Sequence, residues 1–214
     1  MTIPTNAKPL VLRDYEAQAL ASGRMGAIVR VVPERLLDKY YDYDDWCNAV
    51  IPAGIPCTRD YEKSFFLNHS PYRPGDTLWG KETYNPDWCD HAIYKADGGS
   101  AKAAGYASEP KWRSPVTMPR EACRHILRVK SVEVCRVKDV GYEEAEQMGI
   151  ELHFNEYETN NGGLLGVGVQ LDKPKMIGDL RKMWDSTIKP ADRAKFGYEA
   201  NPWVWFVMVE GVGE

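Results

Sequence analysis

"CRHILRVKSVEVCRV", residues 123–137, is the longest β pattern in the chain. Leu127 and Val129 share one parity, Arg128 and Lys130 the other. After Ser131 the apolar positions change parity, to Val132 and Val134. One inserted residue, a β-bulge, restores a single apolar face; so does a bend between two barrel strands. Either way, β structure is the frame of the molecule.

Working outward, "YRPGDTLWGKETY" (72–84) reads as a Pro-Gly-Asp turn and an alternating strand. Leu78, Gly80, Glu82 and Tyr84 fall on one face of it, and Thr77, Trp79, Lys81 and Thr83 on the other. "HAIYKADGG" (91–99) reads as a further strand closing in an Asp-Gly turn, and "GGSAKAAGYASEP" as a loop. "LRDYEAQALASG" predicts a helix ended by Gly23, with Leu12, Tyr15 or Glu16, Ala19 and Leu20 near one face. The β-branched run "AIVRVV" (27–32) follows as a strand ended by Pro33. "PWVWFVMVE" (202–210) reads as a strand buried on both sides.

"GYEEAEQMG" (141–149) predicts a short acidic helix, and "IGDLRKMWDSTI" (177–188) an amphipathic one striped by Ile177, Leu180, Trp184 and Ile188. The glycine-rich "NNGGLLGVGVQLDKP" follows no strand-to-helix phosphate grammar and reads as a loop. Residues 34–68, opening on the acidic "ERLLDKYYDYDD", read as a loop-rich insertion with one short helix, and 154–175 as a second insertion. Short strands and short helices without βαβ rhythm predict one α+β domain over 1–214, a small mixed β-barrel with helices at its edge.

The chain has 214 residues, 43% of them hydrophobic, which suits one sizeable core. A net charge of −4 makes no general case for nucleic acid, so any such surface is local. Five cysteines without a repeated spacing speak against a disulfide framework. No apolar run is long enough to cross a membrane, and the start lacks signal-peptide regions, so the chain reads as cytoplasmic.

Local charge is the first chemical signal. Lys111, Arg113, Arg120, Arg124, Arg128, Lys130, Arg136 and Lys138 stand against two glutamates in residues 111–138. On one sheet face, with Trp112 nearby, they could track phosphates and stack a base; otherwise they form a solvated face. Cys89 and His91, with Cys47 and Cys57 upstream, are weak zinc candidates because paired cysteine spacings are missing, and no metal or other cofactor is expected. No nucleophile motif is present. Glu82, an acid inside an apolar strand, is either ion-paired or held for acid-base work; Arg24 and Arg30 are the natural partners, and the ion pair is favoured.

These segments in order, "ALASGRMGAIVRVV", "YRPGDTLWGKETY", "YKADGG", "WRSPVTMPREACRHILRVKSVEV", "VGYEEAEQMGI", "LRKMWDSTI" and "YEANPWVWFV", resemble the ASCH family of the PUA-like superfamily, in particular its phage and prophage members. The resemblance covers most of the chain outside 34–68 and 154–175. It implies a PUA-like barrel with a cleft between the first helix and the sheet. Family members are associated with RNA or modified nucleobases, and some are amidohydrolases on acylated cytidine or nucleases. The family's G-x-K-x-x-E-x-R signature falls on Gly23, Met25, Ile28 and Arg30. Its lysine and glutamate are replaced, and of the catalytic group only the W-x-x-E glutamate remains, as Glu82. A thioether can neither take a proton nor stabilise an anion as an ammonium does, so the loop reads as a cleft wall without its chemistry.

Three functions follow. The favoured one is a reader of nucleic acid or a nucleobase that uses Arg24, Arg30, Arg120, Arg128, Lys130 and Lys81 for charge, with Trp79 or Trp112 stacking and Glu82 accepting from an exocyclic amine. The second is a hydrolase rebuilt around Glu82. The third is a phage protein that binds a host or phage protein through its acidic insertion.

Overall fold

The computed structural model describes residues 3–50, 59–86, 92–98, 111–161 and 164–212. The chain runs through β1 (Lys8–Val11), α1 (Asp14–Ala21), β2 (Ala27–Val31), α2 (Glu34–Val50), α3 (Arg59–Asn68) and β3 (Thr77–Lys81). The short β4 (Tyr84–Asn85) and β5 (Ile93–Tyr94) come next, then β6 (Ile126–Arg136) and α4 (Tyr142–Gln147). It ends with β7 (Phe154–Asn161), β8 (Leu164–Leu171), α5 (Lys173–Ser186), α6 (Arg193–Phe196) and β9 (Trp203–Gly211). The α+β class holds.

The main sheet has the order β1-β3-β6-β9-β2, with β1 parallel to β3 and the other neighbours antiparallel. β1 and β2 are its edges, and among the described residues no closed barrel is found. The two edges meet through a side chain: Arg30 Nη2 donates to the Val11 carbonyl at 2.9 Å. The parity change in β6 is a bulge, because the register against β9 shifts between Val129 and Ser131 and leaves Lys130 as the extra residue. Leu127, Val129, Val132 and Val134 therefore enter one core. A bend between separate strands is not needed, since β6 is continuous.

β9 is buried on both sides. Trp203, Trp205, Val207 and Val209 join Leu10, Leu12, Ile28 and Leu78 in a first core, while Val204 and Phe206 join Ala27, Val29, Leu180 and Trp184 in a second. Residues 34–68 depart from the expected loop. They contribute two helices, α2 and α3, because Leu36 and Tyr40 recur four residues apart and, with Phe66, cover the first core. Residues 154–171 also depart from expectation: β7 and β8 pair from Phe154↔Leu171 to Asn161↔Leu164. Gly168 makes room there for the Tyr157 ring, whose Cζ would lie 2.4 Å from a Cβ at that position.

α5 buries Met176, Leu180 and Trp184, whereas Ile177 is 44% exposed; the buried stripe begins one residue before the expected one. The predicted strand at 91–99 is reduced to Ile93–Tyr94 plus a 3-10 turn over Lys95–Asp97, and most of the predicted loop 98–110 lies outside the described residues. Among the described residues no helix is long and apolar enough to cross a membrane.

Candidate functional site

Glu82 follows β3, where the chain passes from the main sheet to the β4–β5 pair, and is 1% exposed. Its partner is neither Arg24 nor Arg30 but Arg124, whose Nε and Nη2 each donate to one carboxylate oxygen at 2.8 Å. Arg124 also reaches Asp97 at 2.6 Å and lies 4.1 Å from the centre of the Tyr94 ring. Burial works against the Arg124 charge, but hydrogen bonds to Glu82 and Asp97 outweigh it and raise its pKa. His125 Nε2 is buried without a hydrogen-bond partner among the described residues, 3.4 Å from Glu82 Oε1. Burial lowers its pKa, helped by Arg124 and opposed by Glu82. A carboxylate gripped at both oxygens by a guanidinium is a poor general base.

Arg30 is held elsewhere. It forks onto Glu16, a fully buried helix residue, with Nη2 to Oε2 at 2.9 Å, and also donates to the Val29 and Val11 carbonyls. Glu16 in turn caps α1 by accepting from the Arg13 amide at 2.9 Å. Beside this pair, burial and then the Glu16 charge push Tyr15 up to about 12. Four hydrogen bonds leave Arg30 little capacity for a phosphate.

The basic run does not form one face. Only Ile126–Arg136 of it is strand in the main sheet, and most of its charges are engaged. Arg124 serves Glu82; Arg136 lies 4.1 Å over Trp203 and 3.7 Å from Glu62; Lys138 pairs with Glu199 at 2.8 Å. Arg120 donates to the Pro4 carbonyl. Lys130 lies 3.7 Å from Glu210, with both side chains half-exposed, and Arg128 is exposed without an ion pair among the described residues. Trp79 is 8% exposed, with Lys81 and Arg120 over its ring at 5.2 and 5.8 Å, so it offers no free face for stacking. Lys81 Nζ also donates to the Val116 carbonyl. Trp112 is half-buried in the segment that Arg113 pairs to Tyr84, away from the main sheet. Cys89 and His91 lie outside the described residues; among those described, no group of ligands could hold a metal.

The Gly-Arg turn after α1 walls a cavity of about 620 Å³. Gly23 at φ 67° ends the helix, and the Gly26 amide donates to the Gln147 carbonyl at 2.9 Å, joining the turn to the end of α4. Arg24, Met25, Glu146, Gln147, Glu151 and Phe154 are among the lining residues. Arg24 is exposed, held only by its Nε bond to Ser22 Oγ at 2.9 Å among the described residues. Phe154 is 57% exposed at the start of β7. Glu82 does not line this cavity: it sits by the opposite end of α1, where Asp14 accepts from Thr83 and Lys95. A second cavity of about 300 Å³ shares Gln147 and is lined by Glu133, Glu143 and Glu144. Sequence reasoning identified Arg24 but not the glutamates or Phe154, which belong to segments far along the chain.

No family model, curated protein or solved structure matches the chain.

Proposed function

We propose that the protein binds a nucleobase or nucleoside without turning it over, in the cavity between the Gly-Arg turn and residues 146–154. The observation that carries this reading is the lining: an exposed aromatic ring, one cation, two carboxylates and a carboxamide around about 620 Å³. Pockets of that size suit small ligands. Phe154 supplies a stacking face, Glu146, Glu151 and Gln147 supply acceptors for an exocyclic amine, and Arg24 supplies donors for a base carbonyl or ring nitrogen.

Charge favours the nucleoside over a polynucleotide. Glu146 and Glu151, with Glu133, Glu143 and Glu144 next door, repel a phosphate backbone, and the basic run is largely occupied within the protein. Binding is favoured over hydrolysis because Met25 and Ile28 are buried apolar groups and Glu82 is locked to Arg124 away from the cavity. The same proposal takes the chain as a divergent ASCH protein of phage type whose sheet curls toward a PUA-like barrel. The ordered motifs support that reading, as does Arg30 reaching across to β1.

The test is titration with cytidine, acylated cytidine, adenosine and uridine, with the mixtures then analysed for product. Amine-bearing bases should bind and emerge unchanged, and Phe154→Ala should weaken them about tenfold, the value of one stacking contact. Product formation, or no binding by any nucleoside, would overturn the proposal.

A further inference from the structure

A different cavity lies on the opposite face of the sheet. Trp205 and Phe206 are successive residues of β9 and point to opposite sides; Phe206 lines the acidic cavity, while Trp205 lines another of about 330 Å³ between the start of α2 and residues 69–71. Its floor is apolar, formed by Pro33, Leu36 and Trp205. The Trp205 Nε1 already donates to the Phe66 carbonyl at 2.9 Å, so the indole offers only hydrocarbon surface.

The rim is basic. Arg35, Lys39 and His69 line it, and none of its described lining residues is an acid. Arg35 is exposed and makes no hydrogen bond or ion pair among the described residues. Lys39 Nζ lies 3.1 Å from His69 Nε2, and His69 Nδ1 lies 2.9 Å from the Phe65 carbonyl. That arrangement makes Nδ1 the donor and Nε2 the acceptor, and leaves Lys39 Nζ two further donors. Glu34, the acid next to Arg35, is held by Lys195. The rim is therefore a pair of cations, four residues apart on one helix face, above an apolar floor. Asp38, exposed on the same helix, forms no ion pair with either cation among the described residues, does not line the cavity and acts on Lys195, so an incoming anion can pair with both cations.

We infer that this cavity binds a small organic anion: a phosphate or carboxylate carried on a single ring or short hydrocarbon body. The anion bridges Arg35 and Lys39, and the body rests on Leu36 and Trp205. The volume stands at the lower end of small-ligand pockets, which limits the body to that size. This cavity shares no residue with the nucleoside cavity, so binding at one stands or falls apart from binding at the other.

Calorimetric titration with phenyl phosphate, inorganic phosphate and phenol tests it. Phenyl phosphate should bind at least about tenfold tighter than either fragment, because both halves of the site are needed. The Arg35→Gln/Lys39→Gln double variant should lose about tenfold or more in affinity, whereas Phe154→Ala should bind phenyl phosphate like the unaltered protein. Nuclear Overhauser contacts should join the probe's ring protons to the Leu36 methyls. Equal affinity for phenyl phosphate and inorganic phosphate, unchanged binding in the double variant, or no ring contact to Leu36 would each overturn the inference. Should the double variant melt at a lower temperature, Arg35→Gln alone, at an exposed position, should still weaken phenyl phosphate on a stable fold, and unchanged binding there would overturn the inference equally.

Discussion

Two buried glutamates, Glu16 and Glu82, organise the polar interior, each gripped by one arginine at both oxygens. Removing an arginine leaves a buried carboxylate without its bidentate charge partner. Arg124→Ala should therefore lower stability by about 3 kcal/mol, the low end for a broken buried pair because Arg124 is partly open to solvent, as read from urea unfolding. His125 adds a pH dependence. Its folded pKa lies below the ordinary 6.5, so on acidification the unfolded chain takes the proton first. Stability should fall as pH drops below about 6.5 and level off beneath the folded pKa, and His125→Asn should flatten that segment of the curve. That Glu82 needs a cation was legible from its place in an apolar strand. Which arginine supplies it was not, because a pairing 42 residues apart is set by the β3–β6 register.

Elements were legible where their periodicity was strong. The parity change around Ser131 announced the β6 bulge, and the aromatic run announced the doubly buried β9. Both apparent insertions misled for physical reasons. In α2 the acidic outer face masks a two-residue apolar stripe, and in β8 alternating glycines hide the strand, although Gly162-Gly163 is itself a hairpin signal. Glycines give predictions of opposite sign. Gly80→Ala in β3 would place a Cβ 2.6 Å from Leu12 Cδ1 and 3.1 Å from His125 Cβ, and should cost about 1–3 kcal/mol. Gly178→Ala in α5 meets nothing within 4 Å and should stabilise by about 0.5–1 kcal/mol; thermal unfolding of both variants checks the contrast.

At the scale of the molecule, the sheet separates two environments. Acidic cavities lie by the turn after α1 and beside Phe206, and a basic one lies by Trp205. The sequence showed the charge reserves but not their sorting, since a run of bases in the chain disperses once β6 and its flanks find separate partners. The central claim, a nucleoside reader in place of a phosphate-tracking surface, has a direct test in salt dependence. Cytidine affinity should be measured by calorimetry from about 0.05 to 0.5 M salt, beside a short single-stranded oligonucleotide. Cytidine binding that barely changes across that range, with the oligonucleotide no tighter than the nucleoside, is the predicted result. An oligonucleotide that binds far more tightly and weakens steeply with salt, while cytidine does not bind, would contradict it.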